Sequence, residues 1–115
     1  MGTVKTEIQN DIAVISWESR ELLGGLESIA LKDEVRDVLE QGIRKIVIDL
    51  SKLTNSNSTG LGILLHSWNM AFKDTAQLVV VLSSKRVKQI FNVTKLNTIM
   101  KSFKSVDDAI TYYNE

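Results

Sequence analysis

The residues from Thr54 to Gly62 are the part of this sequence best suited to chemistry. They are T-N-S-N-S-T-G-L-G, and they lie between a predicted buried strand and a predicted amphipathic helix. In a parallel α/β sheet this is the carboxyl end of a strand, where ligand and partner sites usually gather. The N-terminus of the helix offers free backbone amides and a partial positive charge, which suit an anion. Ser58 is therefore a candidate acceptor of a phosphoryl group, unless Ser58 or Asn57 is simply the N-cap.

Other chemistries at this segment are not supported by its residue types. It lacks the lysine of a phosphate-binding P-loop and the third glycine of a dinucleotide fingerprint, so nucleotide cradling is not expected. The G-x-S-x-G motif of serine hydrolases is also absent. The single histidine, His66, lies about two helical turns from Ser58, beyond hydrogen-bond reach. Without a base beside the nucleophile, we predict no catalytic residue and no enzyme.

Metal and cofactor chemistry has little support in the composition. The chain has no cysteine, which excludes cysteine–zinc sites, and its lone histidine excludes a histidine-rich one. Asp49, near the end of a predicted strand, is the acid that we expect to lie near the Ser58 loop. One carboxylate supports only a weak metal hypothesis. We therefore predict neither a metal site nor a cofactor.

Composition and charge limit the class of protein. A chain of 115 residues fits one domain, and a hydrophobic content of 43% is enough for a core. The 14 basic and 14 acidic side chains cancel, which argues against bulk electrostatic binding to nucleic acid or membrane. The longest apolar run, Leu78 to Leu82, is far shorter than the ~20 residues of a membrane span, and no secretory signal is apparent. We expect a soluble, cytoplasmic single domain.

Alternation and apolar runs predict the strands. Residues 3–9 and the residues from Ile12 onward alternate with a period of two, which is typical of an N-terminal hairpin turning at Asn10 and Asp11. Residues 46–50 and 78–82 are short and apolar, as in central parallel strands. Residues 99–103 are a weaker strand candidate.

Helical periodicity and capping residues predict about four helices. Their expected starts are Ser28, the Ser58 loop, Ser83 or Ser84, and Ser105. The first is expected to stop at Gly42, and residues 20–27 before it form a predicted connector broken by Gly24 and Gly25. The predicted inward residues of the second helix are Leu61, Leu64, Leu65, Trp68 and Phe72; those of the third are Val87, Ile90, Phe91 and Thr94; those of the last are Val106, Ala109, Ile110 and Tyr113.

This order of elements predicts an α/β fold for residues 1–115. The sheet is expected to be mixed, with four to five strands in an N-terminal hairpin plus a parallel core, and with about four helices. Gly60 and Gly62 would let the second helix pack closely on this sheet.

Two surface features are left open. The second face of the Ser58 helix is unusually apolar, so it either docks a partner or packs on a neighbouring helix. Its residues are Ile63, His66, Ser67 and Met70. Residues 75–106 contain six basic and no acidic side chains, but lack interleaved exposed aromatics and any nucleic-acid motif. We predict a solvated basic face there.

The Ser58 segment in its context resembles the STAS domain, in particular the anti-sigma factor antagonists of bacteria. The hallmark of that family is a strand, a short polar turn and D-S-[ST]-G-L-G at the start of a helix. Residues 46–65, I-V-I-D-L-S-K-L-T-N-S-N-S-T-G-L-G-I-L-L, reproduce this order, with Asn57 in place of the aspartate. The hairpin, the first helix, residues 87–96 and residues 103–110 also resemble the family. Its G-x-L-D signature after the second strand is replaced by R-E-L-L-G-G at residues 20–25.

This resemblance implies a regulatory switch. Ser58 would be phosphorylated by an anti-sigma factor that is a serine kinase, and a serine phosphatase would reset it. The unphosphorylated protein would bind the kinase and so free a sigma factor. The implied partner-binding residues are Asn57, Ser58, Thr59, Gly60, Leu61, Gly62, Ile63, His66 and Met70. One alternative is an unphosphorylated STAS scaffold subunit of a larger sensory or transport assembly, which Asn57 fits better. A second is a small nucleotide- or lipid-binding domain.

Overall fold

The computed structural model describes residues 3–115 and contains a five-stranded mixed sheet. In chain order the strands are β1 (Val4–Gln9), β2 (Ile12–Trp17), β3 (Glu21–Leu22), β4 (Lys45–Leu50), β5 (Asn55–Ser56), β6 (Gln77–Leu82) and β7 (Ser102–Phe103). The helices are α1 (Gly25–Glu40), α2 (Ser58–Lys73), α3 (Lys85–Val93) and α4 (Val106–Tyr113), with a 3₁₀ turn at Leu96–Thr98. The predicted α/β fold is confirmed.

The main sheet has the order β1-β2-β4-β6-β7. β1 and β2 form the predicted antiparallel hairpin, and β2, β4, β6 and β7 are parallel neighbours. Asn10 turns the hairpin with a φ of 58°, a left-handed conformation that asparagine tolerates better than most residues. β3 and β5 form a separate two-stranded parallel ribbon that was not predicted.

The sheet is covered on both faces. Because side chains alternate along a strand, Ile46, Ile48 and Leu50 share one core with buried residues of α1, α2 and α3. Val47, together with Val79 and Val81 of β6, faces a smaller core closed by α4. The carboxyl end of β4 therefore leads through β5 into α2, on the side of the larger core.

The start of α1 differs from the prediction. The helix begins at Gly25 with Gly24 as its N-cap, so the two glycines open the helix instead of breaking the chain. Their φ angles of 95° and 80° give the chain a turn that other residues rarely adopt. Ser28 is not the N-cap: it is buried one turn inside, where its Oγ donates to the Gly24 carbonyl at 3.0 Å and accepts from the Gly24 amide at 2.9 Å.

The buried stripe of α2 is rotated relative to the prediction. Phe72 was expected inside but is 64% exposed, and its ring stacks on that of Trp68 at a centroid distance of 5.1 Å. Leu64 is buried as predicted, and Leu61, Leu65 and Trp68 are partly buried against the larger core. The other buried positions are Gly60, Ser67 and Ala71. α1 packs against α2, and the small side chains of Ser67 and Ala71 are buried in α2.

The C-terminal third follows the prediction with two exceptions. Ser84 caps α3, Val87 and Phe91 are buried, and Ser105 caps α4. Thr94, predicted to point inward, is the exposed C-cap residue of α3, and its hydroxyl donates to the Ile90 carbonyl at 2.6 Å. The strand predicted over residues 99–103 is shortened to the two residues of β7. The amides of Ile99 and Met100 donate to the Leu96 carbonyl of the preceding 3₁₀ turn, so these two residues are not free to pair with β6.

Tyr113 gives a prediction for alkaline pH. Its hydroxyl donates to the Ile46 carbonyl at 2.8 Å, and burial raises the pKa of this phenol well above its usual range. An unfolded tyrosine ionises at about pH 10, so above that pH the unfolded state releases a proton that the folded state keeps. The free energy of unfolding should therefore fall as pH rises above about 10.

Tyr113→Phe should remove both the hydrogen bond to Ile46 and the part of the alkaline loss of stability that comes from Tyr113. We expect a loss of about 1 kcal/mol at neutral pH, together with a smaller decline in stability between about pH 8 and pH 11. Urea unfolding at the two pH values measures both effects. Tyr112→Phe is the matched control, because the Tyr112 hydroxyl has no hydrogen bond within residues 3–115. Equal alkaline declines in the wild type and Tyr113→Phe would contradict this assignment.

Candidate functional site

Asn57, and not Ser58, is the N-cap of α2. Asn57 Oδ1 accepts from the amide of Gly60 at 2.8 Å, and its carbonyl accepts the first intrahelical hydrogen bond, from Leu61, at 2.9 Å. Ser58 is therefore the first residue of the helix. Its side chain is exposed and makes no hydrogen bond to another residue of the described chain. The capping function and the free hydroxyl thus belong to neighbouring residues.

The electrostatics at Ser58 favour an added anion. The first amides of a helix have no intrahelical partner, and the helix dipole adds a partial positive charge there. Asn57 satisfies the amide of Gly60 and adds no negative charge. The first turn of α2 contains no acidic residue. A phosphate on Ser58 would meet unpaired donors and no carboxylate within its own turn.

The loop before Ser58 is anchored by the β3–β5 ribbon. The backbone amides of Thr54 and Asn55 donate to the Arg20 carbonyl at 2.7 and 3.1 Å. Ser56 Oγ donates to the Leu22 carbonyl at 2.6 Å. The segment that replaces the family's G-x-L-D signature therefore lies directly against the serine loop. These bonds restrict the backbone that presents Ser58.

Gly60 is required by a close backbone approach. A Cβ at this position would lie 1.8 Å from the Leu22 carbonyl oxygen and 2.6 Å from Ser56 Oγ. Gly60 therefore packs against β3, and not against the main sheet as expected. Gly62 was also expected to permit close packing, but a Cβ there would meet nothing within 4 Å. Gly62 is exposed on the outer side of α2.

The N-terminus of α1 borders the same loop. A Cβ on Gly24 would lie 2.5 Å from Cγ2 of Thr59, so the two helix starts are in contact. Beside this contact, Leu23 is 42% exposed and Leu26 is 87% exposed. Sequence reasoning did not assign these two leucines to the site. Their presence in a segment interpreted as a connector was the available signal.

The second face of α2 (Ile63, His66, Ser67 and Met70) is partly buried and partly exposed, so it is divided between internal packing and a surface that a partner could contact. Ser67 is buried and donates to the Ile63 carbonyl at 2.9 Å, while Ile63 and Met70 are partly buried against the larger core. His66 is exposed on the helix surface. Ser67 is therefore part of the interior, and only part of this face remains available to a partner.

Asp49 does not lie at the Ser58 loop. Its side chain shares the α4 side of the sheet with Val47 and with Val81, its register partner on β6. Its Oδ1 accepts from the Ser51 amide at 3.0 Å. The expectation that this acid approaches the serine was wrong because strand alternation directs it to the opposite face. Within residues 3–115 no cluster of three or more metal-ligating side chains occurs.

The basic C-terminal stretch approaches the loop at one point. Arg86 Nε, near the start of α3, donates to Asn55 Oδ1 at 3.2 Å. The six basic side chains predicted to form a solvated face are all exposed: Lys85, Arg86, Lys88, Lys95, Lys101 and Lys104. The contact between Arg86 and Asn55 was not predicted, since it joins residues 31 positions apart.

Within residues 3–115, the longest helices are too short or too polar to cross a bilayer. The sequence model of the STAS domain family matches residues 4–109.

Solved structures share the fold at low sequence identity. A putative anti-sigma factor antagonist from Thermotoga maritima is 19% identical, with a TM-score of 0.83 over 97% of this chain and 95% of that one. An anti-sigma factor antagonist from Mycobacterium paratuberculosis is 23% identical, with a TM-score of 0.80 over 97% and 93%. The anti-sigma factor antagonist SpoIIAA in its unphosphorylated form is 17% identical, with a TM-score of 0.78 over 96% of each chain. The family match covers nearly the whole chain, and the chain therefore belongs to the STAS domain family.

Proposed function

We propose that this STAS domain is an anti-sigma factor antagonist that is switched by phosphorylation of Ser58. In the unphosphorylated state it binds an anti-sigma factor with serine kinase activity, and the sigma factor is released. The proposal rests chiefly on the exposed Ser58 hydroxyl at the start of α2, which is free of hydrogen bonds within the described chain because Asn57 supplies the cap. The likeness in fold to solved anti-sigma factor antagonists supports the same class of partner.

The proposed reaction is phosphoryl transfer from ATP held by the kinase. Ser58 Oγ attacks the γ-phosphorus, the bond to the bridging oxygen of ADP breaks, and the hydroxyl proton passes to a base. His66 is about 12 Å farther along the helix, so this chain offers no histidine base at Ser58. The partner must therefore supply the base, the nucleotide and the metal. In this proposal the domain is a substrate and ligand, and not an enzyme.

Asn57 is compatible with this reaction. The family's aspartate and this asparagine can both accept from the amide at the third position of the helix. The bond from Gly60 to Asn57 Oδ1, at 2.8 Å, keeps the backbone of the acceptor loop in place. The family's aspartate would place a negative charge next to the Ser58 hydroxyl, which must approach the triphosphate of ATP. Asn57 therefore preserves the presentation of Ser58 while removing a repulsive charge.

Phosphorylation would change the surface that the partner contacts. It would move the formal net charge from zero to about −2, at the centre of the proposed interface. Enclosing a dianion in an interface carries a large desolvation cost, so the phosphorylated protein dissociates. We assign this contact to the partner-binding residues implied by the resemblance, and we add Leu23 and Leu26 because they are exposed beside Thr59. Gly60 is buried and contributes by holding the loop against β3.

The proposal also implies a phosphatase and a location. A serine phosphatase would remove the phosphate and restore binding. Kinase and phosphatase would act on this protein in the cytoplasm, where the sigma factor is released. Neither nucleic acid nor a membrane is a proposed partner.

Transfer of labelled phosphate tests the site. We expect a cognate anti-sigma kinase with labelled ATP to modify the wild type and Thr59→Ala, but to leave Ser58→Ala at background. Both residues are exposed hydroxyl positions in the same turn, so Thr59→Ala is a matched control. Incorporation into Ser58→Ala at the wild-type rate would show that the acceptor is another residue. Absence of incorporation into every form would favour the unphosphorylated scaffold subunit.

A further inference from the structure

Arg86 lies beside the Ser58 loop with most of its hydrogen-bonding capacity unused. Its Nε donates to Asn55 Oδ1 at 3.2 Å. Neither of its two Nη atoms makes a hydrogen bond or ion pair with another residue of the described chain. Among the described residues, Nε is the one guanidinium nitrogen with a partner, and its contact holds the group beside the loop that contains Ser58. The four N–H groups of the two Nη atoms are left free within residues 3–115, and this planar fork matches the oxygens of a phosphate or a carboxylate.

The distance along the chain makes contact between Arg86 and a phosphate on Ser58 feasible. Asn55 and Ser58 are three residues apart, which spans at most about 10 Å when extended and less where the chain turns into a helix. Phosphoserine is longer than serine, and the terminal Nη atoms extend beyond Nε. The guanidinium already contacts the loop through Asn55, three residues before Ser58, so rotation of the exposed side chains can bring the two groups together.

The surrounding charges favour this pairing. α3 contributes two further exposed cations, Lys85 and Lys88, and residues 75–106 contain no acid. Glu21 of β3 is an acid on the strand next to the loop, since it is paired in register with Asn55. Among the described residues it forms no ion pair with Arg86. Glu27 lies in the first turn of α1, in the groove that Glu21 also lines. The two acids oppose the phosphate, whereas the α3 cations attract it.

We propose that Arg86 binds the phosphate of phosphorylated Ser58 within the same chain. Both Nη atoms donate to phosphate oxygens while Nε remains on Asn55. The inference rests on the proposed function for the phosphorylation event, but it concerns this chain's own response to the modification. Pairing would stabilise the dianion and fasten the start of α3 to the acceptor loop. The kinase would then meet an added charge on this protein, and the Arg86 side chain would be held by the phosphate and no longer free to contact the kinase.

A phosphate titration tests the pairing without any kinase. Phosphoserine is installed at position 58 during translation, and its ³¹P signal is followed against pH in the full chain. The pKa of a free phosphoserine is about 6, and a paired cation lowers it by favouring the dianion. We expect Arg86→Gln to raise the midpoint by about 0.5 pH unit. Asn55→Ala should produce a smaller rise because it frees the guanidinium. Lys88→Gln is the matched control, with the same loss of charge two residues along α3.

Two results would overturn the inference: an unchanged midpoint in Arg86→Gln, or equal changes in Arg86→Gln and Lys88→Gln, which would indicate general screening by α3. Thermal unfolding of each variant without phosphate confirms that the exposed substitutions leave the fold intact. The outcome is separable from the proposed function. If the kinase assay fails, the ³¹P midpoint can still be measured, because the phosphoserine is installed during translation. If the midpoint is the same in the wild type and Arg86→Gln, the proposal that Ser58 is phosphorylated still stands.

Discussion

Gly60→Ala is expected to destabilise the protein by about 3 kcal/mol or more. A Cβ at 1.8 Å from the Leu22 carbonyl oxygen collides with backbone, which cannot move aside as the end of a flexible side chain can. Relief requires α2 to move away from β3 and breaks the bond from Ser56 Oγ to the Leu22 carbonyl. The same displacement would carry Ser58 out of position, so partner binding should be lost together with stability.

Gly62→Ala provides the matched control for this prediction. It adds the same methyl group two residues along the same helix, where nothing lies within 4 Å. Because alanine favours a helix over glycine, we expect a gain of up to about 1 kcal/mol. Urea unfolding of the three proteins measures both changes. Equal effects of the two substitutions would show that the close approach of Gly60 to Leu22 is not needed for the fold.

Phosphorylation of Ser58 is expected to weaken binding to the anti-sigma kinase by at least about 100-fold. That ratio corresponds to about 2.7 kcal/mol, which is within the cost of desolvating a charged group in an interface. Isothermal titration of the kinase with unmodified and phosphoserine-58 protein measures the difference. Ser58→Ala keeps the neutral surface and should bind within a few-fold of the wild type.

Two further variants test whether Leu26 lies in this interface. Leu26→Ser should weaken binding of the unphosphorylated protein without loss of stability, because Leu26 is 87% exposed. Ile99→Ser is the control, since Ile99 is an exposed apolar residue in the segment between the 3₁₀ turn and β7. Equal binding of the phosphorylated and unphosphorylated proteins would contradict the switch. Equal loss of binding in Leu26→Ser and Ile99→Ser would contradict the assignment of Leu26 to the interface.

Much of the fold could be predicted from local patterns. The apolar runs over residues 46–50 and 78–82 became β4 and β6, and the capping residues Ser84 and Ser105 begin α3 and α4. Patterns failed where tertiary contact decides the outcome. Phe72 fits the helical stripe of α2 by its spacing, but it lies in the last turn and is exposed, with its ring stacked on Trp68. Ser28 is a good capping residue, yet the left-handed pair Gly24–Gly25 starts the helix earlier.

The acceptor loop could be located from the sequence, but its surroundings could not. Ser58 and the helix that follows are contiguous in the chain, so their order alone placed the hydroxyl at a helix start. β3 and β5 have two residues each, too few to show alternation, so the ribbon left no periodic signal. The contact between Arg86 and Asn55 and that between Gly24 and Thr59 join distant segments. Only the folded chain brings these residues to Ser58.

Site-resolved mass spectrometry of the protein isolated from its host tests the central claim most directly. We predict a fraction of the protein heavier by one phosphate, with the modification located on Ser58 by fragmentation. That fraction should disappear in a strain that carries Ser58→Ala and persist in one that carries Thr59→Ala. A protein that is unmodified under every growth and stress condition, or that carries its phosphate on another residue, would contradict the proposed switch.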